Sequence, residues 1–198
     1  MTYACVVVAS EARKGLVTSH VVPSVLDQGF DQVIVATDYH SADTTLYVST
    51  RTHSTLDALD RRQAAFELTT TDYVVYVSDD HILADGFLAD LRLAAGYDIL
   101  VPWRYTVRDG QVIPLNMGQG GKPDRDRNYC AGHAGIYTRE ILDRHPWTQD
   151  SLAHPYWDVE HSWLVLDAGG TICYCSPESR IRVQDVEHVL NPASEPWK

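Results

Sequence analysis

Two carboxylates and an imidazole stand in a row at Asp79-Asp80-His81, directly after the run Tyr-Val-Val-Tyr-Val-Ser at Tyr73–Ser78. Adjacent carboxylates that face one cleft repel each other unless a positive charge lies between them, and hard oxygen donors of this kind suit Mg²⁺ or Mn²⁺. The apolar, β-branched residues before them have the composition of a buried central strand. In an open α/β sheet, ligands collect outside the carboxyl ends of the strands, so these three residues stand where chemistry is expected. The competing reading is structural: an Asp-Asp pair after a strand makes a turn and caps a helix beginning near Gly86.

The elements that must position this tip read as an alternation. Tyr3–Ala9 is a predicted buried strand, followed by a polar turn at Ser10–Gly15 and a helix through Leu16–Leu26 that Pro23 makes irregular. Gln32–Ala36 is a second strand ending in Thr37-Asp38-Tyr39-His40-Ser41, and Ser54 caps a helix with Leu56, Leu59, Gln63 and Phe66 on one face and Arg61 and Arg62 beside it. Strand and helix in turn build a mostly parallel sheet with helices packed on it. Beyond the central strand come a helix at Phe87–Ala95, a strand at Ile99–Trp103, and a long loop over Arg104–Asn128 that carries a short strand at Gln111–Pro114. From Arg104 to Arg127 that loop has five basic against three acidic residues, net +2, in a chain of net charge −11. It reads as a solvated loop or as a flap that meets phosphates. Cys130–Tyr137 joins small residues to a strand, Thr138 caps a short helix, and Tyr156–Glu160 opens another whose core stripe is Val159, Trp163 and Leu166. Short strands at Thr171–Cys175 and Arg180–Gln184 follow, and His188 lies beyond them.

With 198 residues the chain is expected to form one domain over 1–190, with a tail at 191–198. Its charge of −11 and pI near 5.1 argue against wholesale binding to nucleic acid or anionic membrane. The four cysteines, Cys5, Cys130, Cys173 and Cys175, form no CxxC pair and read as reduced, mostly buried thiols of a cytoplasmic protein. No apolar run approaches the roughly 18 residues that span a bilayer.

The order of these pieces resembles a GT-A fold glycosyltransferase, most closely the family-2-like group that includes the bacterial spore-coat enzyme, over nearly the whole chain from Tyr3 to about His188. The resemblance implies an α/β, Rossmann-like single domain, a mostly parallel sheet flanked by helices with a small antiparallel extension. It places the nucleotide against Ala9, Ser10 and Glu11, with Asp38 at the base. Ser78-Asp79-Asp80-His81 stands at the family's aspartate motif, with Asp79 toward ribose or metal and Asp80 on the metal. The polypeptide-type GalNAc transferases use Asp-x-His instead, and Asp79 with His81 fits that spacing too. Ala131-Gly132-His133-Ala134-Gly135 looks like the small-residue segment that abuts donor sugar and acceptor. Asp158 looks like the catalytic aspartate, although Trp157 stands where the family has an acidic partner. His188 takes the late position of a further metal-ligand histidine.

Function follows as an expectation: transfer of a sugar from a nucleoside-diphosphate donor, a UDP-sugar first, to an acceptor hydroxyl with Mn²⁺ or Mg²⁺. The metal neutralises the departing diphosphate, with Arg61, Arg62 or the 104–127 loop adding positive charge. Asp158 would be the general base of an inverting enzyme, whereas a retaining enzyme needs none. The acceptor is open between a natural product or saccharide and a hydroxymethylated pyrimidine in DNA. Two alternatives belong to other classes. One is a sugar nucleotidyltransferase, disfavoured because Ser10–Gly15 holds a single glycine. The other is a non-catalytic nucleotide-sugar-binding module.

Overall fold

The structure is a computed structural model that describes residues 1–37, 45–48, 55–94, 96–115, 128–132, 134–147 and 157–186. Seven strands form the main sheet: β1 (Tyr3–Ala9), β2 (Gln32–Thr37), β3 (Thr45–Val48), β4 (Tyr73–Ser78), β6 (Ile99–Val101), β9 (Ala134–Thr138) and β10 (Ile172–Tyr174). Their spatial order is β10-β6-β9-β4-β1-β2-β3. All neighbours pair in parallel except β9, which runs antiparallel to both β4 and β6.

Both faces of this sheet are covered, which is why β1 and β4 read as continuous apolar runs rather than as an alternation. Tyr3, Cys5, Val7 and Ala9 of β1 join Val75 and Val77 of β4 in a core that also takes Val17, Val21, Val25, Phe87 and Leu91. Val6, with Val74 and Tyr76, faces the other way, into a core built with Leu59, Phe66, Ile141, Trp147 and Val165.

The chain after β1 is helical but irregular. A 3₁₀ turn at Glu11–Arg13 leads into α1 (Lys14–Leu16), a π-helical stretch at Val17–Val21 and α2 (Val22–Leu26). Pro23 stands in the first turn of α2. It lacks the N–H that would continue the ladder, and a wider π turn precedes it, so the helix is irregular as its sequence predicts. Helices α3 (Thr55–Leu68), α4 (Phe87–Leu91), α5 (Arg139–Arg144) and α6 (Trp157–Asp167) complete the layers. The Thr138 hydroxyl accepts from the Ile141 amide and caps α5 as expected. The expected Ser54 cap lies outside the described residues.

A second sheet has the order β5-β11-β7-β8, from β5 (His81–Leu83), β11 (Arg182–Asp185), β7 (Trp103–Arg108) and β8 (Gln111–Pro114). Two of its pairings are antiparallel, and β7 with β11 is parallel, so the expected antiparallel extension is a mixed sheet. Arg104–Arg108 is therefore strand, not the start of a long loop. Asp109 and Gly110 both have positive φ, 51° and 73°, and make the two-residue turn that joins β7 to β8. All four cysteines are free thiols.

Candidate functional site

Parallel strands deliver their carboxyl ends to one edge, and an antiparallel neighbour starts there. Val8 lies beside Ser78 and Ala9 beside Thr37, so β1, β2 and β4 all end together. Val77 lies beside Ala134, which brings the segment before β9 to the same edge. Helix α3 ties two of these ends: the Arg61 guanidinium donates to the Ala9 carbonyl and the Arg62 guanidinium to the Gly132 carbonyl at 2.6 Å.

At the β4 tip, Asp79 and Asp80 are both largely buried, at 6% and 7% exposure. Asp79 Oδ2 accepts from the Ser10 amide at 3.0 Å and the Ser10 hydroxyl at 2.8 Å. One nitrogen of the Arg13 guanidinium lies 2.6 Å from Asp79 Oδ1 and 3.5 Å from Asp80 Oδ2. The positive charge that two adjacent carboxylates require is thus supplied here by the chain itself. His81 is fully buried, with Nδ1 2.5 Å from Asp80 Oδ1 and Nε2 2.8 Å from Arg104 Nε. Arg104 also pairs with Asp185 at 2.7 Å. The ring's two nitrogens are therefore both directed at protein groups, which departs from the expectation of His81 as an ion ligand.

The segment before β9 meets the start of α6. The Gly132 amide donates to Asp158 Oδ2 at 3.2 Å, and Asp158 Oδ1 accepts from the Val159 amide at 2.9 Å. The Asp158 carbonyl accepts from the Ser162 hydroxyl, which in turn accepts from the Cys130 amide. A Cβ on residue 132 would stand 2.5 Å from the Trp157 ring, so glycine is required by close approach. Arg62 is packed among Tyr76, Trp147 and Trp157, with its guanidinium carbon 4.8, 5.5 and 4.9 Å from the ring centroids. Burial lowers its pKa, and the Asp158 carboxylate is among the groups that raise it. Expected as a phosphate contact, Arg62 is instead a buried support for the Gly132 segment. Cys130 is buried too, which pushes its thiol up to about 12 and keeps it protonated at neutral pH.

Of the expected site residues, the structure brings Ala9, Ser10, Asp79, Asp80, His81, Gly132 and Asp158 to this edge. Asp38, His133 and His188 lie outside the described residues, and of Glu11 only the backbone turn is described. Arg13, Arg104 and Asp185 complete the charged cluster. Arg13 had a weak local signal, a cation in the turn after β1. Asp185 had none, because its place opposite His81 is set by a pairing of strands about a hundred residues apart.

No protein-family model and no curated protein matches the chain. Solved structures match across most of it. S. aureus TarS in complex with UDP-GlcNAc aligns with a TM-score of 0.62 at 17% identity, over 93% of this chain and 58% of its own. GalNAc-T7 with UDP, GalNAc and Mn²⁺ aligns at 0.70 and 14% identity, over 93% of this chain and 44% of its own. The mannosyltransferase PcManGT from Pyrobaculum calidifontis, in complex with GDP-Man and Mn²⁺, aligns at 0.61 and 13% identity, over 91% of this chain and 56% of its own. The chain thus spans about half the length of these proteins. Its fold is the GT-A type. Among the described residues, no helix is long and apolar enough to cross a membrane.

Proposed function

We propose that the protein is a metal-dependent glycosyltransferase that moves a sugar from a nucleoside-diphosphate donor, a UDP-sugar first, to an acceptor hydroxyl. The observation that carries this reading is the paired carboxylates of Asp79 and Asp80 at the end of β4, with Asp79 held against Ser10 at the end of β1. TarS, GalNAc-T7 and PcManGT, bound to UDP-GlcNAc, UDP and GDP-Man respectively, supply the analogy for the donor.

A Mn²⁺ or Mg²⁺ ion beside a diphosphate needs one or two protein carboxylates, with phosphate oxygens and water completing its shell. Asp80 and Asp79 fit that donor set. An ion held by these two carboxylates would take its remaining ligands from the diphosphate and water. Bound there, it would neutralise charge developing on the departing phosphates.

The chain's own residues do the rest. Ser10 fixes Asp79 through its amide and hydroxyl together. Arg13, with 34% of its side chain exposed, is the cation of this cluster that the donor's phosphates would meet. Gly132 packs closely against Trp157 and holds Asp158 through its amide. Asp158 is the candidate general base, accepting the acceptor hydroxyl's proton at Oδ1 or Oδ2 in an inverting transfer.

Thermal-shift titration with nucleoside diphosphates, with and without Mn²⁺, tests the reading. Binding to the native state stabilises it by about RT ln(1 + [L]/Kd) and so raises the melting temperature. A metal-dependent rise with UDP or GDP is expected. Unchanged melting with every nucleoside diphosphate at millimolar concentration would overturn it.

A further inference from the structure

A chain of contacts runs from the second sheet to the β4 tip. Asp185 lies opposite His81 in the β11–β5 register, and its Oδ2 accepts from Arg104 Nη2 at 2.7 Å. Arg104 Nε donates to His81 Nε2 at 2.8 Å, and His81 Nδ1 meets Asp80 Oδ1 at 2.5 Å. The backbone is fastened at the same points: the Thr106 hydroxyl donates to the Asp185 carbonyl at 3.0 Å and the Val186 amide to the Asp80 carbonyl at 2.8 Å.

The direction of these bonds fixes the tautomer. A guanidinium N–H can only donate, so His81 Nε2 must offer its lone pair to Arg104. The ring's proton then sits on Nδ1, aimed at Asp80 Oδ1. A doubly protonated ring would set N–H against N–H across 2.8 Å. Asp185 Oδ2 lies 3.9 Å from His81 Nε2, beyond hydrogen-bond distance, and meets Arg104 at 2.7 Å.

We infer that His81 is a positioning residue: it holds the Asp80 carboxylate through Nδ1–H, braced by Arg104 and Asp185, and does not ligate the metal. The spacing Asp79-x-His81 left open which pair takes the ion, and this geometry selects the two carboxylates. Asp80's part rests on the transferase reading above, whereas the tautomer of His81 does not. Groups that orient a metal ligand change metal affinity by about 10- to 100-fold when removed.

Two experiments separate the inference from that reading. Long-range ¹H–¹⁵N correlation on nucleotide-free protein labelled at histidine should show His81 protonated at Nδ1 and bare at Nε2. The opposite tautomer, or a doubly protonated ring, would overturn the inference whatever the protein catalyses. Next, Mn²⁺-dependent UDP binding is compared for His81→Asn, whose amide can replace the Nδ1 donor, and His81→Leu, which donates nothing. Asn should stay within about threefold of the parent affinity while Leu loses at least about tenfold. Equal losses in both would return His81 to the ligands. Should the Leu variant fail to fold, the tautomer and the Asn variant still decide. Should the parent bind neither UDP nor any other nucleoside diphosphate, the transferase reading falls while the tautomer still tests His81.

Discussion

At the tip of β4, the carboxylates of Asp79, Asp80 and Asp185, the guanidiniums of Arg13 and Arg104 and the His81 imidazole are tied by hydrogen bonds and ion pairs. Around Gly132 and Asp158 the contacts are largely aromatic. Trp147 stands edge-on to Tyr76, Tyr137 and Trp157 and stacks on His161 at 3.9 Å. One region is specified by charge and bond direction, the other by shape. A change of charge at constant shape should therefore disable the first, and a change of volume should disable the second. On the proposed function the tip would supply affinity for donor and ion, while the aromatic wall holds a backbone segment and one carboxylate at fixed separation.

The largest expected effect follows from removing charge at the tip without removing bulk. Asp80→Asn should abolish turnover and Mn²⁺-dependent nucleotide binding while its circular dichroism and urea midpoint stay near those of the parent. Parental activity in that variant would detach the tip from the chemistry. Asp158→Asn comes next and behaves differently, because the amide oxygen can still accept from Gly132. It should lower kcat by about 10²- to 10⁴-fold, the usual worth of a general base, with little change in donor affinity. A kcat within twofold of the parent would make Asp158 a structural partner of Gly132 alone.

The wall should answer to volume. Gly132→Ala places a methyl 2.5 and 2.6 Å from two carbons of the Trp157 ring, and overpacking of this kind costs about 1–3 kcal/mol. Urea denaturation should show that loss, and Trp157→Leu in the same chain should restore much of it, since the two changes share one contact. Additive losses in the double variant would place the strain elsewhere.

The same contrast explains what could be read from the residues alone. The β4 run ending in Asp79-Asp80, the β1 run ending in Ala9-Ser10 and the small residues before β9 carry local signals, apolar continuity followed by polar or small groups. They therefore mark both the sheet and its candidate edge. Of the second sheet, β8 and β11 are legible as short strands at Gln111–Pro114 and Arg180–Gln184, whereas β7 beyond Arg104 reads as loop because its partner β11 is distant in sequence, although Asp109-Gly110 is a hairpin signal. The roles of His81 and Arg62 were obscured for a related reason. An imidazole beside carboxylates and an arginine on the helix that approaches the β1 end suggest ligands by type. Their actual partners, Arg104 and Asp185 in one case and Gly132 and three aromatic rings in the other, are assembled only by the fold.

The smallest effect near neutral pH concerns the imidazole of the wall. His161 is 1% exposed, donates from Nε2 to the His145 carbonyl at 2.8 Å and stacks on Trp147. Burial is the main reason its pKa falls from the ordinary 6.5 to about 4; the hydrogen bond to His145 opposes the shift, and the charges of His145 and Arg62 add to it. Because the folded state takes up the proton less readily than the unfolded chain, stability from this group is full above pH 6.5. It declines as pH falls toward 4. At about 1.36 kcal/mol per pH unit of separation, the loss is about 1 kcal/mol by pH 6 and grows to roughly 3 kcal/mol by pH 4. His161→Phe keeps a ring against Trp147 and removes the titration, so its urea midpoint should change less between pH 7 and pH 5 than the parent's. Equal slopes in the two proteins would mean that the wall admits enough water to charge His161, and the distinction between a dry wall and a charged tip would not hold.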